Sequence, residues 1–113
     1  MKNSDFIKLK IAHLSVNKCW QGRRYKTDDY KKYEMLVLNK LPRTFNIPLG
    51  KLKVHIIFGV SSKLSDVDNG IKPFLDILQK KYGFNDNKIY VLKVEKEDVE
   101  KGKEFISFSI GCV

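Results

Sequence analysis

The sequence predicts a two-layer α/β (α+β) sandwich, a mixed β-sheet with both helices on one face, in the order β-α-β-α-β-β. Three observations carry that prediction. Four stretches alternate apolar with polar or charged residues, the period-two mark of a half-buried strand. Two others repeat apolar residues at helical spacing. No stretch of the 113 residues reads as a linker, repeat or low-complexity segment, so one domain spanning residues 1–113 is expected. Helices on one face of such a sheet is the economical way to bury both apolar sides.

Residues 6–14 open with Ile7, Leu9 and Ile11 on one face and Lys8 and Lys10 between them, a strand. Residues 15–26 have no period and read as a long basic, aromatic loop. Thr27 is placed to cap a helix whose first turn carries Asp28 and Asp29, where negative charge suits the helix dipole. Tyr30, Tyr33, Val37, Leu38 and Leu41 form its apolar side, and Pro42 ends it. The plainest strand follows, with Leu52, Val54, Ile56, Phe58 and Val60 on one face and Lys51, Lys53 and His55 on the other. A second helix is predicted over about 71–82, with Phe74, Leu75, Leu78 and Tyr82 inward and Gly83 as its stop. Two strands close the chain, over 88–96 and 104–111. Tyr90, Leu92 and Val94 are expected inward on the first, and Ile106, Phe108 and Ile110 on the second.

Twenty-two Lys and Arg against 13 Asp and Glu give a formal charge of +9. That excess favours a polyanionic partner, since phosphates bound by lysines release condensed counterions. A lysine-rich composition of the source genome is the alternative reading. No apolar run approaches the ~20 residues that span a bilayer, and the first residues lack a signal peptide's apolar core, so a cytoplasmic protein without membrane contact is expected. Cys19 and Cys112 are the only cysteines and are expected to be free thiols. His13 and His55 read as ordinary strand residues without a partner.

The run Asp66-Val67-Asp68-Asn69-Gly70-Ile71-Lys72 carries the most chemistry. On an extended backbone, residues two apart point to the same side, so Asp66 and Asp68 would aim carboxylates at one spot. Carboxylates that close repel unless a proton or cation neutralises them, and an all-oxygen site in a basic protein suits Mg²⁺. Equally, Asp and Asn ahead of a helix are common caps. A calcium loop is excluded, because the positions that need an oxygen side chain and a glutamate hold Gly70 and Ile77.

The sequence Asp66-x-Asp68-Asn69-x-x-Lys72, an amphipathic helix, then Gly83-Phe84-Asn85-Asp86 and a strand resembles the core signature of the RusA family of Holliday junction resolvases. The similarity spans about residues 6–110, and its specific part is 66–95. It implies a magnesium-dependent endonuclease for four-way DNA junctions, working as a homodimer. Asp66, Asp68 and Asp86 would be the metal ligands. Lys72 would either pair with a carboxylate or stabilise transition-state charge; otherwise it is a solvated helix lysine. Ser15, Asn17, Trp20, Arg23, Arg24 and Tyr25 also fit the family's N-terminal loop. Two departures stand out: Ser61-Ser62-Lys63-Leu64-Ser65 replaces the arginines common before the first aspartate, and Asn85-Asp86 replaces a pair of acids.

The basic residues expected to hold DNA are Lys18, Arg23, Arg24 and Lys26 in the loop, Lys51 and Lys53 on the sheet, and Lys63 before the acidic run. Trp20 or Tyr25 would stack on exposed bases. One difficulty is geometric. A helix over 70–82 is ~20 Å long, whereas Gly83 to Asp86 reach back only ~14 Å. Either the helix starts near Pro73, or Asp86 is supplied across a dimer.

Overall fold

The computed structural model describes residues 6–14, 20–21, 25–62 and 67–113. Thr27 caps the first helix as its position suggests: its side-chain oxygen accepts from the Tyr30 N–H at 3.1 Å, and α1 runs Asp28–Lys40. Strand β1 (Ile7–Leu9) precedes it, together with two short strands, β2 (Trp20–Gln21) and β3 (Tyr25–Lys26), which pair antiparallel. Within the segment expected to be loop there is therefore a small two-stranded ladder. Two-residue strands carry no period, so the alternation test had nothing to detect.

Strand β4 (Leu52–Val60) leads into α2 (Val67–Tyr82), a 3₁₀ turn (Asp86–Lys88), β5 (Ile89–Asp98) and β6 (Phe105–Cys112). The four long-range strands order as β1-β6-β4-β5, with β4 parallel to β5 and β6 antiparallel to both β1 and β4. The mixed sheet and two helices match the predicted architecture.

All of Leu52, Val54, Ile56, Phe58 and Val60 are buried and join Ile106, Phe108, Leu9, Tyr30, Val37, Phe74, Ile77 and Leu78 in one core. Both helices thus cover the same sheet face, and among the described residues no helix lies on the face bearing Lys53 and His55. Leu41, expected to end the apolar side of α1, is buried and forms its C-cap. Tyr82 anchors the loop after α1, its hydroxyl donating to the Pro42 carbonyl at 2.8 Å.

Strand β5 departs from expectation. Tyr90 is 63% exposed because the pairing register shifts between Leu52 and Lys53 and leaves it as the extra residue, its ring beneath Lys51. Leu92 is 43% exposed because β5 is the sheet's edge, where only Ile89 and Val94 of the strand pack against the core. Period-two alternation marks a pleated strand but not its place in the sheet. Among the described residues, no helix is long and apolar enough to cross a membrane.

Candidate functional site

Helix α2 begins at Val67, more than a turn before the predicted start, and holds Asp68 in its first turn with the side chain exposed. Carboxylates there face the helix dipole's positive end. Pro73 sits inside the helix, fully buried among core side chains. Lacking an N–H, it leaves the Asn69 carbonyl without its usual helical donor, so the turn carrying Asp68 is tied by one bond fewer. The extended geometry expected at Asp68 is not found: residues two apart on a helix diverge by ~200°. Asp66 and Lys63 lie outside the described residues.

Lys72 is exposed one turn on, and its Nζ approaches Asp76 Oδ1 at 3.4 Å, a solvated i,i+4 pair. This is the surrounding expected of a solvated helix lysine.

Asp86 is positioned from the other end of the same helix. Gly83, at φ +73°, terminates α2 with its N–H on the Gln79 carbonyl at 2.8 Å. Asn85 then caps the 3₁₀ turn, its side chain accepting from the Asn87 N–H at 3.0 Å. The Asp86 N–H donates to Gln79 Oε1 at 2.9 Å, while Gln79 Nε2 donates to the Leu75 carbonyl at 3.2 Å. Gln79 thus pins the Asp86 backbone and leaves its carboxylate exposed. Asn85, which departs from the resembled family's acid pair, has a structural task here.

Parallel pairing sets the distance between the two aspartates. Leu52 pairs with Ile89 and Val60 with Asp98, so Asp86 lies beyond the Leu52 end of the sheet, whereas Asp68 follows the Val60 end. The intervening helix has 16 residues, ~24 Å of axis. A start near Pro73, which would have shortened that span, does not occur. Asp68 and Asp86 of one protomer therefore do not fit a single magnesium site. Among the described residues, no group of three or more His, Cys, Asp or Glu side chains could hold a metal ion.

The predicted basic residues divide. Lys26 bridges to Glu34 at 3.1 Å and lies over the Tyr30 ring at 5.1 Å, which ties β3 to α1. Lys80 reaches the same carboxylate at 3.0 Å. Burial raises the Glu34 pKa, but hydrogen bonds from Lys80 and Lys26 outweigh it and hold the carboxyl below its usual range. Lys51 and Lys53 are exposed at the lower end of the uncovered sheet face, with Lys51 over the Tyr90 ring at 4.9 Å. Lys18, Arg23 and Arg24 lie outside the described residues, as does Cys19; Cys112 is a free, exposed thiol.

Both histidines have more specific surroundings than the sequence suggested. His55 Nε2 meets Glu95 Oε1 at 2.5 Å, and Phe6 packs edge-on against its ring. That pair joins residues 40 apart in sequence, which only the parallel β4–β5 register brings together. His13 lies 5.4 Å from the Phe58 ring and against Gly70, where an added Cβ would come within 2.9 Å of its Cδ2. It therefore borders the helical turns that follow Asp68, and burial lowers its pKa, which favours the neutral imidazole.

No family model matches the chain, and no curated protein matches it in sequence.

Proposed function

We propose that this protein is a magnesium-dependent, structure-specific endodeoxyribonuclease that acts as a homodimer and resolves Holliday junctions by paired nicks, in DNA recombination and repair. The observation that carries the reading is the pair of motif carboxylates, Asp68 and Asp86, both exposed and without an ion-pair partner among the described residues of a +9 chain. They stand at opposite ends of α2, which one protomer cannot close into a site but a two-fold copy can.

The free edge of β5 suits such a copy. An antiparallel pairing of two β5 strands brings one protomer's Asp86 to the end of the sheet where the partner's Asp68 lies. With Val94 facing its own copy on the axis, Lys93 of each strand opposes Glu95 of the other, and Lys88 opposes Glu100. Leu92, exposed on the other face, would gain a neighbour across the pairing. In this arrangement the three aspartates supply the oxygen ligands that magnesium prefers. A two-fold dimer also sets two sites at related positions on a four-way junction.

A second reading is a branched-DNA-binding module without catalysis. It is favoured by the helical first-turn position of Asp68 and the capping chemistry around Asp86, each of which needs no metal. Cleavage of a synthetic four-way junction against plain duplex, with Mg²⁺ or EDTA, separates the two. Under the nuclease reading, wild type gives paired, metal-dependent nicks; Asp68→Asn and Asp86→Asn each abolish them while junction binding survives. An equimolar mixture of those two variants regains single nicks, because about half of the dimers formed at random are mixed and each mixed dimer carries one intact site. Tight junction binding with no cutting under any metal supports the module instead. Metal-dependent cutting that ignores branching keeps the aspartates and overturns the junction substrate.

A further inference from the structure

The uncovered face of the sheet is basic along one diagonal, and we infer that it is a platform for a short run of single-stranded DNA. The upper end of the diagonal is a cavity of about 330 Å³ lined by Lys8, Lys10, Gly102, Lys103, Glu104 and Phe105. Its one acid is already engaged, since Glu104 accepts from the Ser61 hydroxyl at 2.6 Å and from the Gly102 N–H at 3.0 Å. Lys8 lies over the Phe105 ring at 4.3 Å. The lower end repeats the arrangement, with Lys51 over Tyr90 at 4.9 Å and Lys53 beside it on β4. Both ends thus offer cations for phosphates, and the exposed Tyr90 ring offers a stack for a base at the lower end; Phe105, only 7% exposed, is the floor beneath Lys8.

Between the ends the surface is low. Pairing places Ser107, Ser109 and Gly111 of β6 on this face, opposite Ile57, His55 and Lys53. Phe6, 39% exposed, stands at its margin against His55. From Lys53 to Lys10 the diagonal crosses two strand spacings and about six residues of strand, ~22 Å, enough for a few nucleotides. The acids fix its direction: Glu95 and Glu97 alternate with Lys93 on this face of β5 and occupy the remaining corner. A duplex is a poor fit, because its grooves admit a helix or a two-stranded ribbon and not the face of a four-stranded sheet, and its bases are not free to stack on Phe6 or Tyr90. Side chains stand perpendicular to the sheet, so pairing at the β5 edge leaves this face open. The inference does not depend on Asp66, Asp68 or Asp86.

The test is fluorescence anisotropy with labelled dT20, rU20 and a 20-base-pair duplex, in EDTA at fixed salt. Tyr90→Ala, and separately Phe6→Ala with Tyr90→Ala, should weaken dT20 binding by about fivefold or more per lost stack and leave duplex binding unchanged. Lys8→Glu with Lys10→Glu and Lys53→Glu should weaken it far more than Lys31→Glu with Lys32→Glu and Lys40→Glu on α1, which changes the net charge equally. Tyr90 is exposed, so its single variant keeps the test valid if loss of Phe6 unfolds the chain; far-UV circular dichroism checks this. Equal losses from the two lysine triples, or aromatic variants without effect, overturn the platform. Tighter binding of rU20 than dT20 overturns the assignment to DNA. Failure here alongside intact junction cleavage sinks this inference and leaves the nuclease reading standing.

Discussion

Glu34 shows how one side chain can organise three elements. It sits on α1, accepts from Lys26 on β3 and Lys80 on α2, and is largely withdrawn from water. Glu34→Gln should destabilise the fold by about 1–2 kcal/mol at neutral pH, since charge-assisted bonds are lost but the amide keeps some of them. Because the folded pKa is depressed, that contribution is complete above the ordinary value near 4.5 and is lost as pH falls through the folded value. His13 acts in a higher window. Its folded pKa is also depressed, so stability is full above the ordinary 6.5 and declines as pH drops below it, when the unfolded chain protonates first. Urea midpoints from pH 8 to pH 3 should show two separate declines. His13→Gln should flatten the upper one and Glu34→Gln the lower; a variant that left its own decline unchanged would contradict the assignment.

At the scale of elements, α2 determines what the acidic motif can do. Its amphipathic pattern was legible, and Gly83 stopped it where predicted. Its start was not legible, because proline inside a helix usually marks a boundary. Here the buried Pro73 ring helps fill the core, so packing outweighs one missing hydrogen bond. The opposite end depends on Gln79, whose role is invisible in sequence, because a glutamine on a helix carries no signal that it will cap a turn seven residues later. Gln79→Ala should raise the amide exchange rate of Asp86 severalfold, with little change at Leu78, where the helix is held by its own ladder. Uniform loosening of both amides would mean that Gln79 stabilises the helix as a whole and not the turn.

Across the whole molecule, the edge position of β5 is the consequential feature. Ile56 on β4 and Leu92 on β5 belong to the same kind of alternating run, yet Ile56 is fully buried and Leu92 is 43% exposed. Ile56→Ala should cost about 2–5 kcal/mol. Leu92→Ala should cost under about 1 kcal/mol in the monomer, but should weaken self-association if β5 is a dimer edge. Chemical denaturation at two protein concentrations, with sedimentation, measures both effects; a large loss from Leu92→Ala at low concentration would mean that the edge is buried within a single chain.

The local patterns were enough to read the architecture: alternation fixed which residues of β4 and β6 enter the core, and Thr27 and Gly83 fixed helix ends. These are properties of neighbouring residues, and backbone periodicity expresses them directly. The distance between Asp68 and Asp86, the meeting of His55 with Glu95, the burial of Glu34 between two lysines and the openness of one sheet face depend on strand order and on the direction of pairing. No local pattern records strand order. It follows from which apolar faces can be covered at once, and that is decided only when the whole chain packs.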